Sequence, residues 1–243
     1  MKTIREICTE YQEIVLDAED ILAGGGFRRK ERPGEPKIIV QTPAPRAAEG
    51  IPPGGTGDAE EALRELEREV RGCSRCGLCE KRTQGVPGTG VLRPLVMAIG
   101  EGPGEEEDLR GQPFVGPAGV YLDKWLEAIG LSRAKNVYIA NIVKCRPPRN
   151  RDPLPEETAA CMPYLLRQLR IVRPRMVLAL GRVAAQNLLG TQEGIGSLRG
   201  RPGTWQGLPF LATYHPSAVL RDPGLRRPVW DDMKLLKSLL DGA

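Results

Sequence analysis

The stretch LVMAIG, residues 95–100, decides the fold. It is an unbroken apolar run of strand length closed by a glycine, and it has two companions, VYIANIV at 137–143 and MVLALG at 176–181. Continuous rather than alternating apolar character marks strands that are covered on both faces, as in a parallel sheet. Between them lie the helical stretches AGVYLDKWLEAIG (118–130), PEETAACMPYLLRQLRIV (155–172) and RVAAQNLLG (182–190). TWQGLPFLATY reads as one or two further strands, and VWDDMKLLKSLLDG as a closing helix. This alternation specifies an α/β sandwich with a central, mostly parallel sheet. Such sheets bind ligands beyond the carboxyl ends of their strands. Three loops occupy those ends: GEGPGEEED (100–108), KCRPPRNR (144–151) and HPSAVLR (215–221).

Upstream of the sheet the organisation changes. Residues 3–22 carry Ile4, Ile7, Tyr11, Ile14, Val15, Ala18, Ile21 and Leu22 at helical spacing with acids between them, which predicts an amphipathic helix over 1–23. Residues 24–57 are rich in glycine and proline and read as a flexible linker. A helix resumes at DAEEALRELEREVRG with Asp58 expected as its N-cap, and the main domain is expected over 58–243. The N-terminus carries acids throughout and lacks an apolar signal core, and no apolar run reaches membrane-spanning length. A cytoplasmic protein is the expectation, with the amphipathic helix free to dock a partner protein or to fold back.

The net charge of +4 is unevenly distributed. Residues 1–60 hold 8 basic and 11 acidic groups, so the excess of base lies in the main domain. A basic domain suits a polyanionic partner such as nucleic acid.

Five of the six cysteines fall in or near the main domain. GCSRCGLC supplies Cys73, Cys76 and Cys79; Cys145 follows the second apolar run, and Cys161 lies in the next helix. In a reducing compartment such a set points to metal binding or free thiols rather than disulfides. Cys73-x2-Cys76 is the spacing with which two thiolates grip one metal centre, and Cys145 and Cys161 are placed to complete it as a zinc or an iron–sulfur site. Spacing alone leaves Cys79 as a competing ligand. Cys8, in the N-terminal helix, stands apart. The chain has a single histidine, His215, and it lies on the expected ligand-binding rim rather than at an arbitrary surface position.

Four segments, GEGPGEEEDLRGQPFVGPAG, VYIANIVKCRPPRNRDPLPEE, LALGRVAAQNLLG and TYHPSAVLR, resemble the family 4 uracil-DNA glycosylases in the same order and with compatible intervals. The resemblance covers roughly residues 70–240 and leaves residues 1–60 outside it. It implies a three-layer α/β/α sandwich, a structural 4Fe–4S cluster on Cys73, Cys76, Cys145 and Cys161 with Cys79 a bystander, and removal of uracil from single- or double-stranded DNA to leave an abasic site.

The resemblance also assigns roles. Asn141 matches the asparagine that reads uracil, its carbonyl accepting from N3–H and its amide donating to O4; cytosine presents the opposite pattern. Phe114 matches the aromatic that stacks on the flipped base. Glu107 matches the position that crowds uracil C5 against a thymine methyl. The glycines of GEGPG, Gly102 among them, let the backbone approach the base with amides aimed at O2; the segment lacks the lysine and spacing of a phosphate loop. Glu101 and Asn150 are the candidates for positioning water. His215 donates a hydrogen bond to O2 as negative charge develops there. In the segment after it, read as a loop, Val219 or Leu220 fills the space left by the flipped base and Arg221 contacts phosphate.

Two rivals follow from the same residues. A superfamily relative that crosslinks to the abasic sugar through a histidine carries a basic insertion after the second strand, whereas this chain runs directly from KCRPP to RNR. A non-enzymatic iron–sulfur or zinc protein that docks on DNA or on a replication partner would not require GEGPG, Asn141 and His215 together.

Overall fold

Alternate residues of the buried strands feed two different cores, and this divides the molecule into layers. In the computed structural model, which describes residues 56–242, β2 (Val96–Gly100) directs Met97 and Ile99 to one core and Val96 and Ala98 to the other. β3 (Val137–Asn141) divides Tyr138 and Ala140 from Val137 and Ile139 in the same way, and β4 (Met176–Leu180) divides Val177 and Ala179 from Met176, Leu178 and Leu180. Side chains that point to opposite faces with a period of two, both faces apolar, require helices on each side.

The first face is covered by α1 (Thr56–Arg71), α4 (Pro155–Val172) and α5 (Arg182–Leu189), through residues such as Leu66, Val70, Leu165, Leu169 and Leu188. The second is covered by α3 (Pro117–Ala128) and α8 (Arg226–Asp241), through Leu122, Leu126, Met233 and Leu236. The result is the three-layer α/β/α sandwich expected.

β1 (Thr89–Gly90), β5 (Gly203–Trp205) and β6 (Leu208–Thr213) complete a six-stranded sheet in the order β1-β3-β2-β4-β6-β5. The four central strands are parallel, and the edge strands β1 and β5 run antiparallel to β3 and β6. TWQGLPFLATY therefore forms two strands, a hairpin turning at Gln206 and Gly207, both with positive φ. The carboxyl ends of β2, β3, β4 and β6 share one rim.

Three boundaries differ from expectation. α1 begins at Thr56, so residues 56 and 57 belong to it rather than to the linker, and Asp58 lies in its first turn instead of capping it. An acid there interacts favourably with the positive end of the helix dipole, which is why the same residue reads as a start signal. HPSAVLR is not an open loop: α7 (Pro216–Arg221) is a six-residue helix with Pro216 at its first position and His215 as N-cap. GEGPGEEED contains a second short helix, α2 (Glu105–Arg110). The expected N-terminal helix with Cys8, and the linker up to residue 55, lie outside the described residues. Among the described residues no helix is long and apolar enough to cross a membrane.

Candidate active site

Register across the first two parallel strands places Gly100 beside Asn141 at the rim. A Cβ on Gly100 would lie 2.5 Å from Asn141 Oδ1 and 2.6 Å from Phe114 Cζ. Only glycine lets the amide and the ring share this space. Asn141 is 2% exposed, and among the described residues its Oδ1 is the buried side-chain polar atom without a hydrogen-bond partner. Leaving such an acceptor unpaired costs on the order of 1–3 kcal/mol. An orphaned acceptor at the end of a strand, facing an aromatic ring, points to a donor supplied by a ligand.

Phe114 closes the other side. Its φ of 54° lies in the left-handed region, uncommon for a bulky residue, and its ring is buried with its centroid 5.5 Å from that of His215. Glu107, the third residue of α2, accepts the backbone N–H of Gly104 at 3.1 Å and those of Val115 and Gly116 at 2.9 Å each. Both carboxylate oxygens are therefore occupied in joining two loops.

His215 is set by its role at the start of α7. Its Nδ1 accepts the backbone N–H of Ser217 at 3.2 Å, with Ser217 Oγ 2.7 Å away. A ring nitrogen that accepts an N–H carries no proton, so the neutral imidazole holds its proton on Nε2. Burial, with a smaller push from Arg221, brings its pKa down to about 4 against an opposing pull from Glu107, so the ring is neutral at physiological pH. Gly181, φ +92°, stands beneath it; a Cβ there would lie 2.8 Å from the His215 Cβ. Sequence reading passed over Gly181, though its place directly after the apolar run MVLAL was the available signal.

Glu101 lies on the same rim. Burial, and then the nearby negative charge of Asp152, raise its pKa to about 7, with Arg182 opposing. Arg182 in turn pairs with Asp152 at 2.5 Å. Asp152 and Arg182 are the partners that sequence reading missed; they lie far apart in the chain and meet only in the fold. Gly102 admits Val143, whose Cγ2 would be 2.8 Å from a Cβ at that position. Asn150 is exposed, and its Oδ1 accepts from Arg146 Nε at 2.9 Å.

The two apolar candidates of α7 separate. Val219 is 1% exposed and belongs to the core, so it cannot enter DNA; Leu220 is 49% exposed. Successive residues of a helix point about 100° apart, and the open-loop reading had hidden that distinction. Arg221 is exposed beside Leu220.

On the other side of β3, one cavity is lined by Cys73, Cys76, Cys79, Cys145 and Cys161, together with Arg75, Arg82, Lys144 and Tyr164. Arg82 Nη1 donates to Cys145 Sγ at 2.8 Å, and the backbone N–H of Lys144 donates to Cys161 Sγ at 3.4 Å. Burial pushes the Cys145 thiol up to about 11 and raises Cys161 as well. Among the described residues no three His, Cys, Asp or Glu side chains converge closely enough to hold one metal ion. Lys144 is fully buried and spans the two sites: its Nζ donates to the Asn141 carbonyl at 2.7 Å and to Gln168 Oε1 at 2.6 Å.

Gly100, Phe114, Asn141 and His215 thus gather at the carboxyl rim of a parallel sheet, where α/β folds bind their ligands. The sequence model described as Uracil DNA glycosylase superfamily matches residues 87–234, and the chain belongs to that superfamily. It is 43% identical over 187 residues to the type-4 uracil-DNA glycosylase of Archaeoglobus fulgidus, which covers 74% of this chain and 94% of that protein. It is also 43% identical over 185 residues to that of Thermotoga maritima, covering 74% and 96%. A type-5 uracil-DNA glycosylase from Pyrobaculum aerophilum is less similar, 36% identical over 151 residues and covering 55% and 66%. Within the superfamily the chain thus belongs to the type-4 uracil-DNA glycosylase family.

Proposed function

We propose that this chain is a DNA-repair uracil glycosylase, which takes a uracil nucleotide out of the stack, hydrolyses its N-glycosidic bond and leaves an abasic site. The observation that carries this reading is the orphaned Oδ1 of Asn141, buried beside the Phe114 ring. Uracil N3–H supplies the missing donor, while cytosine would place an acceptor against an acceptor.

Each residue of the slot then has a task. Phe114 stacks on the base. The Nε2–H of His215 donates to uracil O2 as negative charge collects on the departing ring, a bond that strengthens in the transition state. The C1′–N1 bond breaks, its electron pair leaves with uracil, and the sugar becomes cationic. Glu101 is ionised in a large fraction of molecules near neutrality. Its carboxylate takes the proton of the water that attacks C1′. With the Asn150 oxygen held by Arg146, Glu101 is the better placed of the two candidates. Leu220 and Arg221 face the DNA, one at the vacated stack and the other at phosphate. Glu107, with both oxygens occupied by backbone amides, shapes the slot by holding its loops.

Cys73, Cys76, Cys145 and Cys161 suit a 4Fe–4S cluster. Their thiols line one cavity together, and an all-thiolate donor set is what an iron–sulfur cluster takes. The N–H donors to Cys145 and Cys161 are of the kind that thiolates accept. Cys73 and Cys76 after α1, Cys145 after β3 and Cys161 in α4 would hold such a cluster, which would cross-link these segments.

Release of free uracil from a single-stranded oligonucleotide tests the proposal. The rival, a non-enzymatic protein docked on DNA, predicts binding of the same oligonucleotide without release.

A further inference from the structure

Phe114 is held in its left-handed conformation by two charged side chains that grip opposite ends of one turn. Before and at the turn, Arg133 Nη1 donates to the Pro113 carbonyl at 3.1 Å and Nη2 to the Phe114 carbonyl at 2.8 Å. After it, Glu107 Oε1 accepts the N–H groups of Val115 and Gly116. Arg133 is itself fixed by Asp123 on α3, whose carboxylate accepts from Nε at 3.0 Å and from Nη2 at 2.9 Å. A planar guanidinium presents several donors in a rigid fork, so one side chain can bridge a carboxylate and two carbonyls. Below the turn, Gly119 of α3 leaves no room for a side chain: a Cβ would overlap the Phe114 carbonyl.

A left-handed conformation of a bulky residue persists only when its surroundings over-determine it. Here they do so at a position whose ring forms one wall of the base slot. We infer that Arg133, braced by Asp123, is a positioning residue for excision: it sets the plane in which Phe114 meets the base. The inference rests on the reading of Phe114 as the stacking residue. Arg133 hydrogen-bonds to Pro113, Phe114 and Asp123, and its action on the base passes through the ring.

A double-mutant cycle tests this, with single-turnover uracil release from a single-stranded oligonucleotide as the readout. Arg133→Ala is expected to slow release about 10- to 100-fold, the scale of a small misplacement in a reacting geometry. In a Phe114→Ala background the same change is expected to have almost no further effect, because the ring it positions is gone. Asp123→Ala, a change at a partly exposed site, should give a smaller loss that likewise vanishes without the ring, and Arg133→Lys should restore part of the rate. Arg133→Ala at the wild-type rate, or losses from Arg133→Ala and Phe114→Ala that multiply, would overturn the positioning role. If Arg133→Ala does not yield folded protein, Asp123→Ala decides by the same criterion. A Phe114→Ala enzyme as fast as wild type would overturn the stacking reading, and the role of Arg133 with it.

Discussion

The His215 ring accepts the backbone N–H of Ser217 at Nδ1 and so is left with its proton on Nε2. The same bond that caps α7 selects the tautomer that can donate to a ligand. The bond that caps the helix is therefore also the one that fixes the ring's proton on Nε2. His215→Ala is expected to lower the single-turnover rate by about 10²–10³-fold, the usual loss for one such donor. Oligonucleotide affinity, measured by anisotropy at fixed salt, should change much less, because phosphate contacts and stacking supply most of it. Because burial keeps the ring neutral, with its pKa at about 4, the salt dependence of binding should be unaltered. His215→Gln should recover part of the rate through its amide.

Asn141→Asp keeps an acceptor for uracil N3–H and loses the donor for O4. Excision of uracil should fall and the preference over cytosine should narrow, as seen by release rates on matched oligonucleotides. A variant with the wild-type rate and preference would remove Asn141 from base reading.

Glu101 predicts a pH profile. Its pKa is raised to about 7 by burial and by Asp152, so the rate should climb as pH rises through about 7 and the carboxylate ionises. Asp152→Asn removes a negative neighbour and should move the climb to lower pH; Arg182→Met removes the opposing positive charge and should move it higher. Stability runs the other way. A carboxyl whose folded pKa exceeds its unfolded value contributes stability that is full below about 4.5 and is lost as pH rises through about 7. Glu101→Gln should therefore melt above wild type at pH 8 and close to it at pH 4, while excising poorly at both.

The cysteine cavity predicts a division among the thiols. Replacing Cys73, Cys76, Cys145 or Cys161 by alanine should lower iron content and melting temperature together in anaerobically prepared protein, and Cys79→Ala should lower neither. Stoichiometric zinc without iron would overturn the cluster, and iron loss in Cys79→Ala would place that residue in the ligand set.

The separation of Val219 from Leu220 gives a further test. Leu220→Ala should slow excision from duplex DNA more than from single strands, since only a duplex has a stack to fill. Val219→Ala should instead lower the melting temperature by removing a buried side chain, about 1–2 kcal/mol by its apolar area.

Local chemistry alone determined the sheet and its ligand-binding rim, whereas the residues of the slot came from the resemblance of four segments to a known family. Strands buried on both faces must be apolar along their whole length, so LVMAIG, VYIANIV and MVLALG stand out without any knowledge of their neighbours. The rim, with His215 on it, follows from strand direction; Asn141 and Phe114 follow from the family resemblance, and the fold sets both beside Gly100 with the His215 ring next to that of Phe114. Tertiary structure decided everything that depends on partners distant in the chain. That the Glu107 carboxylate is committed to Val115 and Gly116, that Arg133 reaches back to Pro113 and Phe114, and that Asp152 raises Glu101 are consequences of loops meeting in space. No periodicity records such meetings, because a charged residue on a loop has the same local signature whether it is solvated or bound to backbone. The direction of α7 is of the same kind: six residues are too few for a hydrophobic period to show which of Val219 and Leu220 points inward, and only packing against the sheet settles it.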